Sequence, residues 1–360
     1  MSRTILEPHY AWIAGGIAVA ILYGSFYPFG FYAHHDPRGP LGVLLESGFR
    51  FSRDDVVANI LLYIPFGFFV AYTLEKRIVA AMAIASLAGF GLSLFVEVVQ
   101  FYDFGRVQAI SDVCSNTLGA VLGAGAAAAA RRRVSDVFLA LLLVCWFGSS
   151  CYPALPPSSS ILVLDLFRYF AAWLAVGLMM EGLLGASRSR VALPLFLAAS
   201  LLLRTFTAFW EPAEIAGGVA AAALWSGLLW QMRTRAKIVA TLLVTLIVLL
   251  ALAPFHFSAN PRAFGWVPFR SFLESPPAAA TRVFFEKAFL YGGMIWLMVR
   301  AGLSIGVSAA LGGTLVLGLR LCQVYLPARS AEITDAVLLL MLAGMMKLIA
   351  LTAPEGRGSI

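Results

Sequence analysis

Residues 93–125 of the chain have the sequence SLFVEVVQFYDFGRVQAISDVCSNTLGAVLGAG. Two apolar stretches flank a short polar turn, with Glu97 and Gln100 before the turn and Asp112 and Asn116 after it. A charged side chain inside a membrane-spanning helix costs at least about 2.5 kcal/mol on insertion scales, so it usually faces other helices, finds a partner or serves a function. This stretch therefore predicts a membrane helical hairpin with a polar site between its helices.

The composition of the whole chain agrees with a membrane protein. Of its 360 residues, 61% are hydrophobic and only 12% are charged, whereas a soluble domain carries about 25% charged residues. Long apolar runs recur along the chain and are continuous, which favours spanning helices over alternating barrel strands. The net charge is +7, and the basic residues lie mostly in short clusters beside the apolar runs. This pattern sets the orientation of membrane helices. The positive charge therefore predicts no nucleic-acid partner.

The apolar runs predict an all-α polytopic membrane protein with about 12 transmembrane helices. The expected spans are roughly 10–30, 55–75, 79–100, 111–130, 136–152, 159–182, 191–208, 213–231, 238–254, 282–299, 302–321 and 333–352. Every second connection is short and basic, which places those connections in the cytoplasm. We therefore expect a multi-pass protein of the bacterial inner membrane, with a retained first span and with both termini in the cytoplasm.

The chain also repeats its landmarks about every 110 residues. Asn59 and Tyr63 recur as Asp165 and Tyr169, then as Lys287 and Tyr291. The residues of the turn in the first copy recur at identical spacing in the third: Gln100, Tyr102, Arg106 and Asp112 match Gln323, Tyr325, Arg329 and Asp335. An even number of spans in each unit makes the copies parallel. We predict three parallel four-helix repeats, at residues 1–133, 134–237 and 238–360, with the middle copy degenerate and the third partly so.

The first copy resembles the VanZ-like family of bacterial membrane proteins over roughly residues 20–130. The residues that carry the resemblance are Asp55-x3-Asn59-Ile-Leu-Leu-Tyr63-Ile-Pro65-Phe66-Gly67, Glu97-x2-Gln100, Arg106, and Ser111-Asp112-Val113-x2-Asn116-Thr117-x-Gly119-Ala120-x2-Gly123. The resemblance implies a helical membrane domain. It also implies a role in the cell envelope, since one founding member is associated with low-level resistance to the glycopeptide teicoplanin.

The polar residues of the first copy predict one site near the outer membrane surface. Our leading hypothesis is that Arg106 binds an anionic headgroup, while Glu97 and Asp112 orient it or transfer protons as catalytic residues. The alternative is that Arg106 pairs with Glu97 or Asp112 and that the amides bridge helices without doing chemistry. The full set of predicted ligand-binding residues is Asn59, Tyr63, Gln100, Arg106, Asn116, Lys287, Arg320, Gln323, Arg329 and Asp335.

The third copy places basic residues at two of these positions, because Lys287 matches Asn59 and Arg320 matches Glu97. The basic face of the third copy could meet the acidic face of the first around a shared axis. In the alternative, Arg320 contacts Glu332 or Asp335 within its own repeat. Loops 31–54 and 255–281 combine arginine, proline and aromatic residues, and could be interfacial lids or solvated connectors.

The sequence predicts no metal site and leaves any cofactor unknown. His34-His35-Asp36 has no third ligand at a supporting spacing, and the four cysteines form no metal or disulfide pattern. Nucleotide and hydrolase motifs are missing from the sequence. We therefore expect a protein that binds or modifies an anionic envelope lipid, such as an undecaprenyl-linked one, or a lipid-linked glycan. The alternatives are a transporter or flippase, and a non-catalytic partner of polysaccharide assembly; its protein partners are not predicted.

Overall fold

A computed structural model describes residues 8–48, 53–74, 78–130, 136–151, 162–207, 211–327 and 329–350. Within these ranges the regular structure is helical, and the extended pairing consists of two isolated bridges. The helices are α1 (Pro8–Phe26), α2 (Gly39–Glu46), α3 (Arg53–Tyr72), α4 (Ile78–Gln100), α5 (Ile110–Ala130), α6 (Val137–Cys151), α7 (Leu162–Leu184), α8 (Ala186–Thr207), α9 (Pro212–Gly227), α10 (Arg235–Leu252), α11 (Arg270–Leu273), α12 (Pro277–Arg300), α13 (Ile305–Cys322) and α14 (Thr334–Ala350). The all-helical class predicted from the sequence is confirmed for the described residues.

Each of the twelve predicted spans coincides with one long helix, and α2 and α11 are short helices of the loops. Among the described residues, seven helices are long and apolar enough to cross a membrane, namely α1, α3, α4, α5, α7, α10 and α13. Helices α9 and α14 have only 16 and 17 residues, and α12 carries Arg282, Glu286 and Lys287 close together. Twelve membrane crossings therefore remain a prediction.

The chain divides into two compact units. The first consists of Met1–Val134 and Leu348–Glu355, and the second of Ser135–Lys347 and Gly356–Ile360. The first boundary falls where the first predicted repeat ends. The second predicted repeat and residues 238–347 of the third lie together in the second unit, so this partition does not test the division into three repeats.

In the first unit, glycines bring α3 and α5 into backbone contact. A Cβ atom added at Gly119 would lie 2.4 Å from the carbonyl oxygen of Ile60, and one added at Gly123 would lie 2.0 Å from that of Ile64. Small residues four apart permit this kind of close helix approach in membranes. Gly119 and Gly123, which belong to the VanZ-like motif quoted above, therefore form such a pair and hold the polar residues of α3 beside those of α5.

In the second unit, α7 lies at the centre of the packing. Its residues from Ala171 to Met179 are all buried, as expected for a helix that is apolar on every side. A Cβ atom added at Gly217 of α9 would lie 2.8 Å from the carbonyl oxygen of Leu166 in α7. The α7–α9 contact thus uses a glycine in the way that the α3–α5 contact does.

Candidate functional site

The turn after α4 is hydrogen-bonded to the end of α1. Gln100 donates through Nε2 to the carbonyl oxygen of Ser25 at 3.0 Å, and Arg106 donates through Nη2 to that of Tyr27 at 3.1 Å. Arg106 is exposed and forms no ion pair with the described part of the chain. The predicted pairing of Arg106 with Glu97 or Asp112 is therefore not formed there, and Arg106 instead fixes the position of the turn.

Glu97 is buried, with 2% of its surface exposed, and contacts the entry to α5. Its Oε2 accepts a hydrogen bond from the backbone N–H of Ala109 at 2.9 Å, and its carbonyl oxygen accepts one from Nε2 of Gln108 at 2.5 Å. Asp112 lies in the first turn of α5 and is half-buried. Both carboxylates are thus near the positive end of the α5 dipole, which favours negative charge.

One turn deeper, α3, α4 and α5 share a buried polar region. Asn116 donates through Nδ2 to the Ser93 hydroxyl at 2.9 Å. The Tyr63 hydroxyl lies near Ser93 and Glu97. It forms no hydrogen bond of good geometry with any described residue, and neither does Oδ1 of Asn116. Buried polar atoms are nearly always hydrogen-bonded in native proteins. This region can therefore form further hydrogen bonds, for example with a ligand. We call Tyr63, Ser93, Glu97, Asp112 and Asn116 the acidic cluster.

Asn59 lies one turn before Tyr63 on α3 and is half-buried. The spacing of four residues places both on one face of α3, as expected from the sequence. Asn59 therefore lies on the same side of α3 as Tyr63, one turn from the acidic cluster.

The turn after α13 in the second unit has the same bonding pattern as the turn after α4. Gln323 donates through Nε2 to the carbonyl oxygen of Ala251 at 2.6 Å, and Arg329 donates through Nε to that of Ala253 at 2.8 Å. In each unit the glutamine and the arginine bond to carbonyl oxygens two residues apart. The repeated sequence landmarks of the first and third copies thus make equivalent hydrogen bonds.

A buried ion-pair network lies below this second turn. The carboxylate of Asp335, whose side chain is 2% exposed, binds the ammonium of Lys287 at 2.8 Å through Oδ1. Its Oδ2 pairs with the guanidinium of Arg320 and accepts a hydrogen bond from the Tyr291 hydroxyl. Arg320 also donates through Nη1 to Oε1 of Gln323 at 2.5 Å. We call these five residues the basic cluster; in it, Arg320 pairs within its own repeat, which is the second of the two alternatives given above.

The loop before α12 packs over the basic cluster. The Lys287 ammonium lies 5.0 Å from the centre of the Phe272 ring, and the backbone N–H of Phe269 donates to the Thr334 hydroxyl at 2.7 Å. Glu332 accepts a hydrogen bond from the Ser271 hydroxyl at 3.0 Å. The sequence leaves two interpretations of loop 255–281, an interfacial lid or a solvated connector. These contacts favour a lid, because the loop packs against residues of the cluster.

Positive charge exceeds negative charge around the basic cluster. Lys287 and Arg320 share Asp335, and Arg329 and Glu332 lie close enough to act on the charge of Lys287. Arg329 lies in the loop, where burial lowers the pKa of its guanidinium and the nearby charge of Arg320 lowers it further. Glu286 also acts on Lys287, but Arg168 pairs with it at 2.8 Å. With that pair counted, four cations stand against three carboxylates, and the excess positive charge suits an anionic ligand.

The middle copy keeps an acid beside its tyrosine. The Tyr169 hydroxyl donates to Oε2 of Glu211 at 2.5 Å, and Arg168 pairs with Glu286 of α12 at 2.8 Å. The side chain of Arg204, another residue of this copy, lies outside the described residues. In the second predicted repeat, Tyr169 and Arg168 thus bond to acids of other elements.

Two charged groups in the structure were not predicted. Asp103 is 1% exposed, and neither of its carboxylate oxygens has a hydrogen-bond partner among the described residues; a single acid between aromatic residues gave no signal in the sequence. Glu181 of α7 binds Arg235 through two hydrogen bonds of 2.6 Å and lies 3.6 Å from Arg300. These partners are far apart in the sequence, so only the fold brings them together.

In the ranges that the structure covers, no group of acids, histidines or cysteines is arranged to hold a metal ion.

The helices and their composition define the class: this is an all-helical protein with several membrane-spanning helices, that is, a multi-pass membrane protein. Within it, residues 13–131 match the model of the VanZ/LLP1 family. This match confirms the VanZ-like segment that the motifs of the first copy indicated. Neither the curated proteins nor the solved structures contain a significant match to the chain.

Proposed function

We propose that this chain is a VanZ-like protein of the bacterial inner membrane that binds an anionic envelope lipid, or a lipid-linked glycan, from the outer leaflet. In this proposal twelve helices form three parallel four-helix repeats, and both termini lie in the cytoplasm. The matching bonds of Gln100 and Gln323, and of Arg106 and Arg329, support the duplication. The VanZ-like segment at residues 13–131 supports a role in the envelope.

One observation carries the choice of ligand: two cations share a single buried carboxylate at Asp335. The side chains of Lys287 and Arg320 are 20% and 12% exposed, so both retain access to a ligand. Phosphate oxygens form strong charge-assisted hydrogen bonds with ammonium and guanidinium groups. A lipid phosphate would therefore supply the negative charge that the basic cluster lacks.

Lipid binding tests this proposal directly. The purified protein is placed in phosphatidylcholine nanodiscs and titrated with phosphatidylglycerol or undecaprenyl phosphate, and retained lipid is counted by native mass spectrometry. Lys287→Met should weaken retention about tenfold, because one charge-assisted hydrogen bond is lost. Lys347→Met is the matched control, since Lys347 is an exposed lysine near the other end of α14. Equal retention by the wild type and Lys287→Met would refute the proposed site.

The biological role is tested in cells. The VanZ-like resemblance extends the proposal to teicoplanin resistance, so expression of the wild-type chain should raise the teicoplanin concentration that inhibits growth. The Lys287→Met variant, present at the same level in the membrane, should give a smaller increase. An identical increase from both proteins would show that resistance does not depend on lipid binding through Lys287.

A further inference from the structure

The two clusters share a tyrosine and an acid but differ in what neutralises the acid. Tyr63 and Asp112 match Tyr291 and Asp335. In the second unit, the Lys287 ammonium and the Arg320 guanidinium satisfy both Asp335 and Tyr291. The second unit thus contains its own cations at the place where the acid and the tyrosine converge.

The first unit lacks both internal cations, because Asn59 replaces the lysine and Glu97 replaces the arginine. Glu97 and Asp112 form no ion pair with any residue that the structure describes. Asp55 lies near Asp112 and adds a further negative charge, while Arg106 is bonded to a backbone carbonyl. Among the side chains that the structure describes, Arg106 is close enough to act on Glu97, but the charged groups that face this region are mainly acidic.

Two deeply buried polar atoms point to a missing donor in the same region. Asn116 is 5% exposed, and its Oδ1 has no hydrogen-bond partner among the described residues. Tyr63 is 1% exposed, and its hydroxyl lies near that of Ser93 but forms no hydrogen bond of good geometry with a described residue. Oδ1 of Asn116 can only accept hydrogen bonds, as can an ionised carboxylate. Leaving such groups unpaired in a buried site is unfavourable, so a ligand that donates hydrogen bonds would stabilise this arrangement.

We propose that the acidic cluster binds a primary ammonium group, which takes the place that the Lys287 ammonium occupies in the second unit. An ammonium offers three N–H donors and one positive charge, and so complements Glu97, Asp112 and the amide oxygen of Asn116. A quaternary ammonium has the charge but no N–H donor, and an anion would be repelled. The ligand is an amine-bearing lipid headgroup or a soluble amine.

This site differs from the proposed anion site in its unit, its charge and its ligand. An experiment can therefore refute one of the two proposals and leave the other standing. The test compares dioleoyl phosphatidylethanolamine with dioleoyl phosphatidylcholine, which differ only in methylation of the amine. Retention of each lipid on the purified full-length protein is measured by native mass spectrometry. The wild type should retain the ethanolamine lipid at least about tenfold better, the size expected for one charge-assisted hydrogen bond.

Two variants localise this preference within the first unit. Glu97→Gln should reduce it, because the carboxylate is lost. Asn59→Lys should abolish it, because the new ammonium occupies the site as Lys287 does in the second unit. Glu46→Gln is the control, since Glu46 is an exposed acid of α2 that pairs with Arg38; this variant should keep the full preference.

Equal retention of the two lipids by the wild type would overturn the inference, as would an unchanged preference in Asn59→Lys. If Glu97→Gln does not fold, the wild type and Asn59→Lys still decide the matter. Loss of the preference in Lys287→Met instead would assign the lipid to the basic cluster and refute the amine site. Displacement of the bound lipid by soluble ethanolamine would identify a free amine as sufficient, and a persistent preference without displacement would identify the lipid headgroup as the ligand.

Discussion

Asp112 and Asp335 lie in the first turns of α5 and α14, at matching positions of the first and third predicted repeats. Their surroundings nevertheless have opposite charge. Asp335 binds Lys287 and Arg320, whereas the charged neighbours of Asp112 include Glu97 and Asp55. The same residue type therefore serves as the centre of an ion-pair network in one unit and as part of an acidic region in the other.

This contrast predicts opposite effects of the same substitution. Asp335→Asn should lower the free energy of unfolding by about 3–5 kcal/mol, because it leaves two cations buried without their carboxylate. Asp112→Asn should leave it unchanged or raise it, because the change removes repulsion between acids. Unfolding of the purified protein in detergent, followed by circular dichroism, measures both values. A loss of similar size in the two variants would contradict the assignment of distinct roles.

At the scale of elements, the contact between α3 and α5 depends on the absence of side chains. Gly123 lies against the backbone of α3, whereas a Cβ atom added at Gly125 on the same helix would meet nothing within 4 Å. Two glycines two positions apart thus have different roles. The first permits helix contact, and the second only lowers helix propensity.

Gly123→Ala should therefore destabilise the protein by about 1–3 kcal/mol, the usual cost of overpacking, and should also displace the acidic cluster. Gly125→Ala is the matched control and should be neutral or stabilising by up to about 1 kcal/mol, because alanine favours the helix. Thermal unfolding in detergent compares the two variants. If the two variants unfold at the same temperature, the close contact of Gly123 with the backbone of α3 does not contribute to stability.

At the scale of the whole molecule, the basic connections predict which ends of the helices face the cytoplasm. Two of the basic connections contain Lys76 and Arg77, and Arg131–Arg133, which lie outside the described residues. Arg188, Arg190, Arg233 and Arg235 are within them. The orientation follows from charge alone, because helix packing is compatible with either direction of insertion.

Cysteine labelling tests this orientation. In a variant without the native cysteines, Val107→Cys and Tyr325→Cys should each react with an impermeant maleimide in intact spheroplasts, because both side chains are exposed beside the two turns. Ser187→Cys, an exposed position beside Arg188, should react only after permeabilisation. The reverse pattern would place the turns in the cytoplasm and would rule out an outer-leaflet site.

The sequence by itself determined the membrane class, the positions of the helices and the matching turns of the first and third copies. Long apolar runs specify helices locally, since the bilayer leaves their backbone no other hydrogen-bond partners. The VanZ-like motifs of roughly residues 20–130 were also visible in the sequence, and the family model matches residues 13–131. These features depend on neighbouring residues and on spacing, which a sequence displays directly.

Only the tertiary structure decided which charges meet. The sequence left Arg106 free to pair with Glu97 or Asp112, yet its side chain bonds to the carbonyl oxygen of Tyr27. It left open whether Arg320 pairs across the predicted repeats, yet Arg320 pairs with Asp335, which lies in the same predicted repeat. The physical reason is that a hydrogen bond requires approach to about 3 Å. Which side chains on separate helices come that close depends on contacts such as that of Gly123 with the backbone of Ile64.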